Sequence, residues 1–325
     1  MQLLDSFGRK IEYLRLSVTD RCDLRCQYCL PKKFNHFLEP ESWLTFDEIE
    51  RVIRLFSELG VQRIRLTGGE PLTRKNIVEL AQRISTVEGI DDLSLSTNAT
   101  RLQHLAKPLK AAGVSRINVS LDTLDNANYR RITGGLLDKA LSGIDAAYEA
   151  GLSPIKINMV LMKGINDHEV DEMVTFCMAR NLTLRLIETM PIGEPGFEAT
   201  AQYVNLQSIE NRLAKKFAAV PGHMPGGGPA RYLKAGESGA HIGFITPKSQ
   251  HFCETCNRVR LTADGQLYLC LGQNDKVDLA TPLRTGVTDD GLLNILEQAI
   301  LAKPEKHEFN DKPYQVLRFM STTGG

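Results

Sequence analysis

The sequence predicts an α/β fold, a parallel TIM-like barrel of six strand–helix units, two fewer than a complete barrel, with a C-terminal extension. Three observations predict it. The first 190 residues alternate short strand-like segments with helix-like segments, and this alternation stops after Glu188. The seven cysteines fall into one triplet in each part of the chain, with one left over.

Six segments of the first part have the composition of buried parallel strands. They are short and rich in leucine or β-branched residues, which is typical of strands that are covered on both faces. The predicted strands are Ile11–Val18, Val61–Leu66, Asp92–Thr97, Arg116–Leu121, Pro154–Leu161 and Leu182–Glu188.

Helical patterns lie between these strands. Thr45 and Glu48 have the spacing of a capping box, and the apolar residues that follow recur at helical spacing until Gly60. The other predicted helices of this part are Asn76–Thr86, Leu102–Ala112, Leu136–Ala150 and His168–Arg180.

The second part of the chain has a different organisation. Met190–Gly196 reads as a loop, and Pro221–Pro229 reads as a Gly/Pro-rich loop. Helices are predicted over Leu206–Phe217 and Leu292–Leu301, and Arg231–Cys270 is strand-rich. We therefore expect two domains, residues 1–190 and 191–325, with the boundary near residue 190.

The charge balance excludes several classes of protein. The 325 residues contain 39 Lys and Arg against 39 Asp and Glu, so nothing in the net charge indicates non-specific binding to nucleic acid or membranes. There is no signal-like N-terminus and no apolar run long enough to span a membrane, so we expect a cytoplasmic protein. Disulfides are rare there, and the cysteines need another explanation.

Cys22, Cys26 and Cys29 form a Cx3CxxC run directly after the first strand, on the face where barrel enzymes keep their chemistry. Three thiolates can bind three irons of a 4Fe-4S cluster and leave the fourth iron open for a ligand. The alternative is a zinc site with His36 as the fourth ligand.

Gly68, Gly69, Glu70 and Pro71 follow the second strand at the same face. Two glycines allow the backbone to approach a ligand closely, and Glu70 adds negative charge beside an amino group. Taken alone, this segment is more often only a tight turn.

Together, the Cx3CxxC run with Tyr28 before its last cysteine and the Gly-Gly-Glu-Pro turn resemble the radical S-adenosylmethionine (SAM) superfamily. The resemblance implies a partial (βα)6 barrel, an open iron that chelates SAM, and a 5′-deoxyadenosyl radical that abstracts hydrogen. The implied SAM-binding residues are Tyr28, Gly69, Glu70, Ser120 and Met190.

Cys253, Cys256 and Cys270 form a second set of three, and Cys177 reads as a core residue of a helix. A zinc site completed by His251 is one interpretation. The other is a second 4Fe-4S cluster, carried by the C-terminal extension, whose open iron binds the substrate.

Basic residues within predicted strands indicate an anionic substrate, since charged groups are seldom buried without a partner and guanidinium groups suit phosphate. The alternative is that several of them pair with Glu12, Glu70 or Glu188, or face outward. They are Arg15, Arg65, Lys156 and Arg185, with Arg258 and Arg260 two residues apart on one strand face.

Several segments, taken with both triplets, resemble the GTP 3′,8-cyclase family of molybdenum cofactor biosynthesis. They are Leu14–Ser17, Ile117–Asp122, Lys156–Asn158, Arg185–Glu188, Asn257–Arg260 and the terminal Gly324-Gly325. The resemblance implies that the radical takes the ribose C3′ hydrogen of GTP and that C3′ then attacks guanine C8. The implied GTP contacts are Arg15, Arg65, Ser96, Lys156, Arg258, Val259 and Arg260, and the family commonly has Thr where Ser96 stands.

The family also implies a catalytic role for Arg15, Arg260, Gly324 and Gly325, although a terminal Gly-Gly is by default a mobile tail. The implied partners are an external electron donor and the next enzyme of the pathway, cyclic pyranopterin monophosphate synthase, with the chain a monomer or homodimer. Two alternatives stay open: another radical SAM enzyme with an auxiliary cluster, of the peptide maturase type, and a zinc-stabilised binding module without catalysis.

Overall fold

The computed structural model describes residues 2–236 and 239–324, so the predicted site residue Gly325 lies outside the described residues. All six strands predicted in the first part are present and pair in parallel in chain order. They are β1 (Tyr13–Ser17), β2 (Arg63–Thr67), β3 (Asp92–Thr97), β4 (Arg116–Ser120), β5 (Ile155–Leu161) and β6 (Thr183–Glu188).

The second part of the chain extends this sheet on both sides. Its strands are β7 (Val220–Gly222), β8 (Arg231–Lys234), β9 (His241–Ile245), β10 (Arg258–Leu261), β11 (Gln266–Tyr268) and β12 (Lys276–Asp278). Strand β10 pairs in parallel with β1, and β9 pairs in parallel with β6. Eight strands in succession are therefore parallel, and antiparallel strands flank them at each end.

In the described residues no pairing joins β9 to β10, so the barrel remains open between them. This confirms a partial TIM-like barrel. The sequence did not predict that two strands of the C-terminal region would continue the parallel sheet.

Helices accompany the sheet, most of them on its outside. They are α1 (Phe46–Glu58), α2 (Ile77–Ser85), α3 (Leu102–Ala111), α4 (Asn126–Thr133), α5 (Leu137–Glu149), α6 (Val170–Ala179), α7 (Gly193–Ala199), α8 (Leu206–Lys216), α9 (Ala280–Arg284), α10 (Asp289–Leu301) and α11 (Met320–Thr323). The predicted helices are present to within a few residues at each end. No helix in the described ranges has both the length and the apolar content needed to cross a bilayer.

Four of these helices were not predicted: α4, α7, α9 and α11. Helix α4 is capped by Asp125, whose side chain accepts from the backbone N–H of Asn128, and it ends at Gly134. The expectation of a loop over Met190–Gly196 is wrong in its second half, because α7 begins at Gly193. Its start is stabilised from a distance: the backbone N–H of Gly193 donates to the carbonyl of Val316 near the chain end.

Helix α1 shows how a sequence signal becomes structure. Thr45 accepts from the N–H of Glu48, and the Glu48 carboxylate accepts from the N–H of Thr45, as the capping box predicts. The apolar stripe behind it, which includes Ile53 and Phe56, is fully buried in the core.

Replacing Thr45 by Ala is expected to lower the free energy of unfolding by about 1 kcal/mol, because the N–H of Glu48 loses its acceptor. Urea denaturation measures the change. Thr175→Ala is the control, since that exposed hydroxyl bonds only to the Asp171 carbonyl within α6. Equal losses in both variants would contradict a capping role.

Candidate active site

The loop after β1 gathers the first cysteine triplet. The backbone turns back on itself there, with the N–H groups of Cys29 and Leu30 both donating to the Cys26 carbonyl. The three thiols lie close enough to influence one another, and burial raises the pKa of each, that of Cys29 to about 12. Neutral thiols are thus favoured until a metal group replaces the protons.

The glycines after β2 pack against this cysteine loop. A Cβ on Gly68 would lie 2.2 Å from the Thr19 carbonyl oxygen, and one on Gly69 would lie 2.2 Å from that of Arg21. The N–H of Gly69 donates to Thr19 and that of Glu70 to Arg21, both at 2.8 Å. The sequence predicted that the backbone at these glycines approaches a ligand closely. In the structure the glycines closely approach the backbone of the cysteine loop, and this contact positions the cysteines.

The Glu70 carboxylate is used inside the protein. It accepts from the hydroxyl of Thr97 at 2.7 Å, from the N–H of Asn98 at 2.7 Å and from that of Leu72 at 3.1 Å. Burial raises the pKa of Glu70 to about 7. These bonds tie the loop after β2 to the loop after β3, so Glu70 acts as a positioning residue.

Asp122 completes the surroundings of the first triplet and was not among the predicted site residues. Its carboxylate accepts from the Tyr28 hydroxyl and from the N–H of Val160, each at 2.8 Å. Burial raises the pKa of Asp122 to about 6. Its position just after β4, at the carboxyl ends of the barrel strands, is the feature of the sequence that could have identified it. Ser120, the last residue of β4, is exposed there.

The second triplet lines a cavity of about 150 Å³ inside the barrel. Cys253 and Cys256 precede β10, and Cys270 follows β11. The pairing of β10 with β1, and of β11 with β10, carries all three inward. Although burial raises the pKa of Cys256, Lys303 and Arg258 lower it below its ordinary value. Predicted site residues on the same wall are Arg15, Arg65, Met190, Arg258, Val259 and Arg260.

A neighbouring cavity of about 420 Å³ is strongly basic. It shares Arg65 and Arg185 with the first cavity and adds Lys156 and Arg116 under the Gly-rich loop 221–228. Burial and then Arg185 lower the pKa of Lys156 to about 7. This concentration of positive charge suits a polyanion that extends from one cavity into the other.

In the part of the chain that the structure describes, Arg65 and Arg185 do not pair with the carboxylates that the sequence offered as partners. Glu12 bonds to Lys10 and Arg63, Glu188 to Tyr203 and Ser249, and Glu70 as described above. Arg65 instead donates to the Ser94 hydroxyl, and Arg185 donates to the side-chain oxygens of Asn118 and Asn158. Burial lowers the pKa of Arg65 to about 10 and that of Arg260 to about 9.

Ser96 lines neither of these two cavities. It lies on β3 in register with Asn118, and its buried hydroxyl has no hydrogen-bond partner within the described ranges.

The chain end runs into the barrel. The Arg260 guanidinium donates to the carbonyls of Thr323, at 3.0 Å, and Gly324. Gly324 has φ +75°, and a Cβ there would lie 2.3 Å from the Thr67 methyl group. The Ser321 N–H bonds to the Cys29 thiol. The tail thus contacts Cys29 of the first triplet and Arg260, which lines the same cavity as the second triplet.

The donor sets fit iron–sulfur clusters. Each triplet offers three free thiols, which matches three ligands to a 4Fe-4S cluster. No three His, Cys, Asp or Glu side chains in residues 2–236 and 239–324 converge closely enough to hold a single metal ion. A cluster spans wider separations because each thiolate binds a different iron, whereas the zinc interpretations with His36 or His251 need one shared ion.

Comparison with known proteins gives a family match in each half of the chain. Residues 16–177 match the family described as the radical SAM superfamily, and residues 182–309 match Molybdenum Cofactor Synthesis C. The chain is 46% identical to the GTP 3′,8-cyclase of Hydrogenovibrio crunogenus, with 100% of each chain covered. It is 46% identical to that of Brucella ovis, with 99% of this chain and 96% of the relative covered.

The fold is also similar to that of a solved protein that has S-adenosylmethionine bound. The crystal structure of Streptococcus suis SuiB bound to S-adenosylmethionine superposes with a TM-score of 0.62 at 15% identity. The alignment covers 89% of this chain and 69% of SuiB, so the likeness extends beyond the barrel.

Replacing Gly324 by Ala is expected to displace the tail, because the new methyl group would overlap Thr67. Hydrogen exchange of residues 315–324 measures the loss of protection. Gly286→Ala is the control, since Gly286 has a similar φ of +79° with no atom within 4 Å of an added Cβ. Unchanged exchange in Gly324→Ala, or equal exchange in both variants, would contradict the observed packing.

Proposed function

The chain belongs to the GTP 3′,8-cyclase family of radical SAM enzymes, and we propose that its two cysteine triplets hold two 4Fe-4S clusters on opposite sides of one substrate cavity. It converts GTP to (8S)-3′,8-cyclo-7,8-dihydroguanosine 5′-triphosphate in molybdenum cofactor biosynthesis. One observation carries the assignment of residues: three cysteines and four buried arginines line the same cavity inside the barrel.

Cys22, Cys26 and Cys29 hold the first cluster, and SAM binds beside it. When bound, these groups supply a 5′-deoxyadenosyl radical that removes the ribose C3′ hydrogen. Tyr28, Gly69, Glu70, Ser120 and Met190 form the SAM site. Within it, the N–H groups of Gly69 and Glu70 hold the cysteine loop in place by donating to the carbonyls of Thr19 and Arg21.

Cys253, Cys256 and Cys270 hold the second cluster, which faces the guanine. The triphosphate lies in the basic cavity, where Lys156 and Arg65 meet its charge. Arg15, Arg258, Val259 and Arg260 bind the nucleotide where the two cavities join, and Ser96 supplies a hydroxyl from β3. The volume of the two adjoining cavities and their charge both support this placement.

The catalytic residues of this proposal are Arg15, Arg260, Gly324 and Gly325. Arg260 already donates to the backbone of the tail, so it orders Gly324 between the two triplets. Glycine is needed there because a larger residue would meet Thr67. The tail thereby narrows the space around the substrate and excludes water from it.

The finer assignments belong to the same proposal. The enzyme is a lyase of the cytoplasm, and it takes electrons from an external donor. It passes its product to cyclic pyranopterin monophosphate synthase and acts as a monomer or homodimer, without nucleic acid or membrane. Residues 1–190 form the radical SAM domain and residues 191–325 the second-cluster domain. One family match ends at residue 177 and the other begins at residue 182, which supports a division in this region of the chain.

Anaerobically reconstituted protein is expected to contain about eight irons per chain. With GTP, SAM and a reductant it should form 5′-deoxyadenosine and the cyclised nucleotide. Cys22→Ser should abolish 5′-deoxyadenosine, because the first cluster is lost. Cys270→Ser should retain the first cluster's four irons but lose cyclised product.

Cys177→Ala is the matched control, since Cys177 is buried in α6, outside both triplets, and should retain full activity. Formation of 5′-deoxyadenosine by the wild type without any cyclised product would refute the substrate. Normal turnover by Cys22→Ser or Cys270→Ser would refute the placement of the clusters.

GTP affinity is expected to fall by about tenfold between about pH 6 and pH 8, because Lys156, with its pKa lowered to about 7, loses its charge over that range. Below pH 7 the ammonium group is present and binds phosphate, whereas above pH 7 it is neutral. Equilibrium dialysis with GTP measures the dissociation constant at each pH. Lys156→Arg remains charged throughout, so parallel pH profiles in the two proteins would contradict this role.

A further inference from the structure

Lys303 is a buried cation that none of the proposed functions uses. It follows α10 and is 2% exposed. Its ammonium group donates to the carbonyl of Leu269, the residue before Cys270, and its side chain lines the cavity together with Cys253, Cys256 and Cys270. The lysine therefore lies against the second triplet, in the wall of the substrate cavity.

Its charge has no carboxylate partner in the part of the chain that the structure describes. Other cations near the triplet are balanced differently: Arg9 pairs with Asp5, and Arg318 stacks on the Tyr268 ring. The nearby carboxylate of Glu254 is exposed and faces His251. A buried ammonium group is costly without a compensating anion, and three thiolates are the available anions.

The first triplet has the opposite surroundings. Two buried carboxylates flank it: that of Asp122 accepts from the Tyr28 hydroxyl, and that of Glu70, after burial itself, raises the pKa of Cys22. One cation, Arg25, donates to the Cys22 carbonyl at 2.7 Å. The local charge is thus net negative at the first triplet and net positive at the second.

We propose that Lys303 balances the charge of the second cysteine triplet and its cluster, and thereby holds the reduction potential of that cluster above the potential of the first. The inference rests on the proposed presence of two clusters. Reduction adds one negative charge to a cluster. A buried cation beside it stabilises the reduced form, and buried carboxylates destabilise it.

The test is an EPR-monitored redox titration of the anaerobically reconstituted full chain. A variant with Ser at Cys22, Cys26 and Cys29 assigns the signal of the second cluster. Lys303→Met removes the charge with little change in volume, and is expected to lower the potential of the second cluster while leaving the first unchanged. Lys303→Arg keeps the charge and should stay near the wild type. Lys312→Met is the control, because Lys312 is exposed and pairs with Glu308.

The remaining outcomes also decide the question. Loss of four irons from Lys303→Met but not from Lys303→Arg would support charge balance, whereas loss from both would overturn it in favour of packing. An unchanged second potential in Lys303→Met, or a wild type in which the second potential lies below the first, would overturn the proposal. If Lys303→Met does not fold, Lys303→Gln takes its place with the same readouts. Four irons in the wild type would instead refute the proposed second cluster.

Discussion

The parallel pairing of β10 with β1 is the constraint on which the rest of the site depends. Its register sets Arg260 opposite Arg15, which is itself opposite Arg65 on β2. Because side chains alternate between the two faces of a strand, residues in register share a face, and a slip of one residue would turn Arg260 outward. The same pairing carries Cys256 to the barrel interior. A region that follows the six barrel strands in the chain thus lines the same cavity as the first strand.

This arrangement places several like charges close together, which opposes folding unless something compensates. Burial lowers the pKa of Arg15, Arg65 and Arg260, and neighbouring arginines lower it further. The chain satisfies part of their hydrogen-bonding capacity with neutral oxygens, among them Ser94 and the tail carbonyls. Neutral acceptors do not balance the charges of Arg65 and Arg260. An anionic ligand would therefore stabilise the folded chain as well as react in it. Without the ligand, the clustered positive charges lower the stability of the fold, and the same charges give the site its affinity for anions.

Local patterns predicted the first part of the fold well, because each strand and helix there buries one continuous apolar face. The capping box at Thr45 and the six strands are of this kind. The positions of β9 and β10 were not predictable in the same way, since strand pairing across such separations leaves no periodic signal. Helix α7 depends on a bond to Val316 and has no local signal. Cysteine spacing indicated both clusters, yet Lys303 looked like an ordinary basic residue at a helix end, and only its burial against Cys270 gives it a role.

The packing of the tail shows why position 324 is a glycine. Arg260 needs acceptors inside the barrel, and backbone carbonyls can supply them only if the peptide approaches closely. At Gly324 the approach to Thr67 leaves no room for a Cβ, and φ is positive, so both sterics and backbone conformation exclude other residues. Upstream, Arg318 donates to the carbonyls of Cys270 and Leu271, and Phe319 packs on Phe34 beside the first triplet. The tail is therefore held by the loops that carry both cysteine triplets, and its position depends on each of them.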